Sequence, residues 1–220
     1  MVKLVIFDLD GTLLNTLDDL ADSCNYILQK YDYPTHPVEA YKYFVGDGIR
    51  KLIERAIPDE VLHKQELVYS IESDFLAHYR LHKVDKTAPY EGIIPVLNQL
   101  QSKNIQIAVA SNKIHSEIAP MLTYYFPSIK FAAALGQQEG VPTKPNPNVV
   151  YEILAQTKIE KEDVLYVGDT AVDMKTGKSA GIYTIGVLWG FRTEKELLDN
   201  GADELIQKPE DLLSLMDKLS

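Results

Sequence analysis

Apolar and polar positions divide the chain into two kinds of segment. Residues 2–7, Val-Lys-Leu-Val-Ile-Phe, are β-branched and almost continuously apolar, and they stop at Asp8-Leu9-Asp10-Gly11-Thr12. Such a run predicts a strand buried on both faces, as in a parallel sheet, with a polar loop at its carboxyl end. Similar runs recur at residues 105–110, 164–167 and 182–187, with a shorter candidate at 130–133. Amphipathic segments of helical length lie between them at 93–103, 149–157 and 171–179. This alternation is what a parallel α/β sheet produces.

Residues 16–83 depart from the alternation. Segments 18–31, 39–44, 49–56 and 60–80 read as helices, and Pro34, Pro37 and Pro58 interrupt them. The expectation is a sheet-containing core built from residues 1–15 and 84–220, with an all-helical insert over residues 16–83. Residues 84–92, which include Pro89 and Gly92, form the expected return linker.

Charge and composition then narrow the partners. Twenty-two basic against 32 acidic residues give a formal charge of −10. That field repels a nucleic-acid backbone, and no basic run offsets it, while a local positive site for a small anion stays open. The single cysteine, Cys24, excludes an internal disulfide and a Cys-rich zinc site, and reads as a buried group on an insert helix. The histidines lack a compact metal-ligand spacing. The opening run breaks at Asp8 before it could act as a signal segment, and no stretch reaches the roughly eighteen apolar residues of a membrane span. A cytoplasmic protein with no membrane partner is expected; the pattern leaves the oligomeric state unknown.

The candidate chemistry collects at strand ends. Asp8 and Asp10, two residues apart, should project to the same side, where paired carboxylates can share a divalent cation and divide the roles of nucleophile and proton carrier. Gly11 permits a tight departure and Thr12 supplies a hydroxyl. A calcium-loop reading fails, because counting from Asp8 puts Leu13 where glycine is needed and Asp19 where glutamate closes the loop.

Ser111-Asn112-Lys113 follows the run at 105–110, either as a ligand site, with the Ser111 hydroxyl and the following amides placed for phosphate oxygens, or as an ordinary strand-to-helix turn; Lys113 is a weaker candidate or a surface charge. Lys144 lies in Pro-Thr-Lys-Pro-Asn-Pro, whose Asn146 and Pro147 suffice to start the next helix without it. A lysine pinned there can neutralise a phosphoryl oxygen and a carboxylate together. Asp169 ends the run at 164–167, and Asp173 serves either the same pocket or the first turn of a helix. Trp189 and Phe191 fit either the lining of a binding surface or strand-end or inter-domain packing.

Together these strings resemble the haloacid dehalogenase-like hydrolase superfamily: Asp8-Leu9-Asp10-Gly11-Thr12-Leu13, Ser111, Lys144, and Gly168-Asp169-Thr170-Ala171-Val172-Asp173. Less specific strings are similar to its phosphoglycolate phosphatase group. They are Leu14-Asn15-Thr16 with Asp19-Leu20, Val45-Gly46-Asp47-Gly48, Pro89-Tyr90-Glu91-Gly92, Thr184-Ile185-Gly186-Val187-Leu188-Trp189-Gly190, and Gly201-Ala202-Asp203.

The resemblance implies a Rossmann-like parallel-sheet core with a small inserted α-helical cap, Mg2+ as cofactor, and a small phosphorylated metabolite, 2-phosphoglycolate first, as substrate. It implies Asp8 as nucleophile and Asp10 as acid and base. Mg2+ would be held by Asp8, the Asp10 carbonyl and Asp169, with Asp173 supporting. Thr12 and Ser111 would orient or bind the phosphoryl group and Lys144 would stabilise its charge. In the cap, Gly46 and Gly48 suggest a tight loop, with Arg50 and Lys51 as candidate readers of an anionic substrate tail. The alternatives are a β-phosphoglucomutase-like phosphomutase, an inorganic pyrophosphatase, or a noncatalytic phosphate-sensing domain.

Overall fold

The opening apolar run forms β1 (Leu4–Phe7), buried at every position. In this computed structural model, which describes residues 1–219, the chain divides into two compact units, Met1–Leu14 with Pro89–Ser220 and Asn15–Ala88. The chain leaves the first at β2 (Leu14–Asn15).

The second unit is helical: α1 (Leu17–Lys30), α2 (Val38–Phe44), α3 (Ile49–Ala56) and α4 (Gln65–His82). In α1, Leu17, Leu20, Ala21, Cys24, Ile27 and Leu28 are buried, a stripe at three- and four-residue spacing. The single helix expected over residues 60–80 is instead a 3₁₀ turn, Asp59–Val61, followed by α4, because Lys64 at ψ 72° takes the chain out of helical space. Asp19 is buried but satisfied: its carboxylate accepts the N–H groups of Lys86 and Thr87, each at 2.9 Å, and the Thr87 hydroxyl at 2.7 Å. Those bonds keep the segment after α4 with the helices until β3 (Ala88–Pro89).

The first unit continues through α5 (Ile93–Ser102), β4 (Gln106–Ile114), α6 (His115–Tyr125), β5 (Phe131–Gln137) and α7 (Asn148–Thr157). It ends with β6 (Val164–Gly168), α8 (Ala171–Ala180), β7 (Tyr183–Val187), α9 (Glu194–Asp199), β8 (Glu204–Ile206) and α10 (Asp211–Leu219). Among the described residues, six strands form a parallel sheet in the order β5-β4-β1-β6-β7-β8.

Alternation along β1 sends Val5 and Phe7 into the core formed with α5, α6 and α10, and Leu4 and Ile6 into the core formed with α7. Both faces are covered, which is why the strands read as unbroken apolar runs. β1 lies between β4 and β6, where the winding of the sheet reverses, and α/β proteins bind ligands outside the carboxyl ends of strands at such a point.

β4 runs longer than the apolar pattern suggests. Ser111, Asn112 and Lys113 stay extended rather than turning, and pairing with β5 shifts register between Ala110 and Ile114. No helix among the described residues is long and apolar enough to cross a membrane.

Candidate active site

Asp8 follows β1 directly, and its N–H completes the ladder on Val167 of β6. Asp169 follows β6, and Asp173 lies in the first turn of α8. The three buried carboxylates each offer an oxygen within 4.8 Å of the others. Lys144 enters from the loop before α7. Its ammonium sits 2.9 Å from Asp8 Oδ1 and donates to Asp173 Oδ1 at 2.7 Å and the Ala110 carbonyl at 2.9 Å. Two hydrogen bonds and one close ion pair hold the buried Lys144 ammonium.

Asp173 is both helix cap and site residue. Its Oδ2 accepts the Thr170 N–H and hydroxyl, completing a capping box, while Oδ1 accepts Lys144 and the Tyr166 hydroxyl at 3.2 Å. Four donors, Lys144 among them, thus meet this carboxylate.

Asp169 is clamped differently. Oδ1 accepts the Thr12 hydroxyl at 3.1 Å and Oδ2 the Phe191 N–H at 2.8 Å. The Trp189 indole N–H donates to the Thr12 carbonyl at 3.0 Å, so both aromatic residues secure the site loops. Each Asp169 oxygen keeps a lone pair.

Two glycines let backbone close on Asp169. Gly11 has φ +90°, and a Cβ there would lie 2.3 Å from Asp169 Oδ2; a Cβ on Gly190 would lie 2.3 Å from Asp169 Cβ and 2.5 Å from the Gly11 carbonyl oxygen. Gly190→Ala is therefore expected to displace Asp169 and cost about 1–3 kcal/mol through overpacking. A displacement of that kind lowers turnover on the order of 100-fold. Phosphate-release kinetics and urea unfolding of the variant check both; wild-type values in each would remove Asp169 placement as the role of Gly190.

Like charges crowd this buried space. Burial first, then the Asp173 charge, raises the Asp8 carboxyl to about 7 against the opposing pull of Lys144. Burial, then Asp173 and Asp8, holds the Asp169 carboxyl well above the usual range, against the Phe191 N–H and the Arg192 charge. For Lys144, burial alone would lower the pKa, but Asp173 and Asp8 hold it well above its ordinary value. Asp8 Oδ1 is buried and has no aligned hydrogen bond, although Lys144 is near. A buried orphan oxygen, a neighbouring carboxylate with open lone pairs and an all-oxygen donor set fit a hard divalent cation.

The remaining sequence candidates separate. Asp10 points to Lys113, not to the three-carboxylate cluster; the ammonium lies 3.2 Å from both its oxygens. Lys113, a weaker candidate or a surface charge on the sequence, is buried. Ser111 Oγ accepts the Lys113 N–H at 3.1 Å. Asn112 bonds both the N–H and the carbonyl of Lys144, at 2.9 and 3.1 Å, and so fixes the lysine's peptide.

Gly46 and Gly48 have φ of +121° and +86°, a conformation glycine adopts freely. Arg50 donates to Glu54, Glu72 and Gln65 and covers the Tyr69 ring at 4.6 Å, while Lys51 donates to Glu54 at 2.6 Å. Neighbours within the helical unit thus engage both cations.

Tyr166 and Gly190 are the site residues to which the sequence assigned no role, and Lys113, Trp189 and Phe191 are ones it marked only weakly. The only available signal was their nearness in sequence to Ser111, Asp169 and the strand ends.

The family model described as haloacid dehalogenase-like hydrolase matches residues 5–187. A phosphoglycolate phosphatase of Aquifex aeolicus is 32% identical over 216 residues, covering 98% of this chain and 97% of its own. A phosphoglycolate phosphatase of Haemophilus influenzae is 30% identical, covering 97% and 98%. The crystal structure of a Lactobacillus delbrueckii subsp. bulgaricus protein, provisionally named a phosphoglycolate phosphatase, superposes with a TM-score of 0.90 at 28% identity, covering 97% of this chain and 98% of that one. With the family match spanning most of the chain and the relatives aligned nearly end to end, the chain belongs to the haloacid dehalogenase-like hydrolase family and is an enzyme of it.

Proposed function

We propose that this enzyme is a Mg2+-dependent phosphatase of small phosphate monoesters, with 2-phosphoglycolate its substrate, working through a phosphorylated Asp8. The observation that carries the reading is Asp8 itself. It is a buried carboxylate at the end of the central strand, paired with Lys144 and set beside Asp169, in a chain whose end-to-end relatives carry the name phosphoglycolate phosphatase.

Asp8 attacks phosphorus and the bond to the ester oxygen breaks, while Asp10 delivers a proton to that oxygen. Asp10 then takes a proton from the water that attacks the phosphoryl group, and Asp8 is released unchanged. Lys144 lies against the phosphoryl charge, and the Ser111 hydroxyl donates to a phosphoryl oxygen. Thr12 keeps Asp169 in place. Asp8, Asp169 and the Asp10 carbonyl would hold Mg2+, which when bound would offset the repulsion between an anionic nucleophile and an anionic phosphate. The helical unit serves as the family's cap.

The test is a screen of purified protein, with and without Mg2+, on 2-phosphoglycolate, pyrophosphate, β-glucose 1-phosphate and nucleoside monophosphates. The expected result is Mg2+-dependent phosphate release with the highest kcat/KM on 2-phosphoglycolate. A higher value on another compound would overturn the substrate; conversion of the sugar phosphate to its 6-phosphate without phosphate release would overturn the phosphatase reading.

A further inference from the structure

We infer that Lys113 is the specificity-determining residue of this site, reading an anionic group carried on the carbon next to the ester-bearing position of the substrate. The inference rests on the proposed phosphatase reading and deepens it. Its physical basis is the placement of charge on the Asp10 side of the site.

Lys113 Nζ is 3.2 Å from each Asp10 oxygen, and the two side chains are only 3% and 15% exposed. Lys144 is engaged by Asp8, Asp173 and Ala110, and Arg192 pairs with Glu196 at 3.3 Å. The cation next to Asp10 is therefore Lys113. Its position follows from β4 remaining extended past Ala110, where the Lys113 N–H is tied to Ser111 Oγ at 3.1 Å.

The leaving oxygen must meet Asp10 to receive its proton. In 2-phosphoglycolate a single methylene separates that oxygen from the carboxylate carbon, so a cation that touches both Asp10 oxygens lies within contact distance of the substrate's carboxylate. A charge contact formed in so little solvent is stronger than one on the surface. The substrate class is thus phosphate esters of 2-hydroxy acids, not phosphate monoesters at large.

The experiment measures kcat/KM for 2-phosphoglycolate and for its isosteric amide, 2-phosphoglycolamide, with wild type, Lys113→Met and Lys113→Arg. Wild type should favour the acid by about 10- to 100-fold, the range expected for one buried hydrogen bond to a charged group. Lys113→Met should lower both rates and reduce that preference to near unity, and Lys113→Arg should recover part of it. Equal losses on acid and amide in Lys113→Met would overturn the inference, leaving Lys113 as a positioning residue for Asp10. Wild type that does not distinguish acid from amide would overturn it without any variant. Wild type that hydrolyses neither would instead remove the phosphoglycolate reading on which it rests.

Discussion

Asp8→Asn is expected to release no measurable phosphate and to accumulate no phosphoryl-enzyme in a rapid quench, a loss on the order of 10⁴-fold or more for removal of a nucleophile. The same change should leave the metal-free protein at least as stable as wild type. Asp8 is a buried anion beside Asp169 and Asp173, and its carboxyl is pushed up to about 7 despite Lys144. The surroundings thus oppose its charge on balance. A neutral isostere removes that repulsion and keeps the volume, so stability should rise by about 1 kcal/mol. Thermal unfolding without metal, read beside the quench, checks both. A phosphoryl-enzyme burst of wild-type size would eliminate Asp8 as the nucleophile, and a Tm several degrees lower would refute the charge argument.

Lys144→Met should behave in the opposite way, losing stability and turnover together. It leaves Asp8 and Asp173 as buried anions without their cation and the Ala110 carbonyl without its donor. Breaking one side of a buried ion pair costs about 3–5 kcal/mol. Turnover should fall on the order of 1,000-fold, as for removal of one preorganised charge contact to the transition state. Lys144→Arg should not rescue it, because two hydrogen bonds and an ion pair converge on one compact ammonium and a planar guanidinium presents its donors in a fork. Urea unfolding and phosphate-release kinetics on both variants decide the matter. A loss under about 1 kcal/mol in Lys144→Met, or near wild-type turnover in Lys144→Arg, would mean that the three contacts do not carry this weight.

Legibility in the sequence varied with the range of the interaction. The run before Asp8 and the run before Asp169 are strands because their buried faces demand apolar residues at every position, and a short window suffices to see that. The 3₁₀ turn ahead of α4 was missed because its apolar spacing continues that of a helix and only the backbone at Lys64 departs. β8 escaped because three residues at a sheet edge, one of them a glutamate, carry no pattern distinct from a loop. Asp173 stayed ambiguous because a first-turn acid and a site acid look alike, and here one side chain does both.

By itself, the sequence determined the α/β class, the acids at the ends of two strands, and the family to which the chain belongs. Those features lie in local periodicity and in side-chain chemistry at element ends. Only the tertiary structure decided the pairings: Thr12 with Asp169 across 157 residues, and Lys113 with Asp10 across 103. A lysine after Ser-Asn looks like a solvent charge until parallel pairing sets Phe7 beside Val109 and carries β4 past Ala110. Sheet order and register, which no short window contains, bring that ammonium to a carboxylate from the other end of the core.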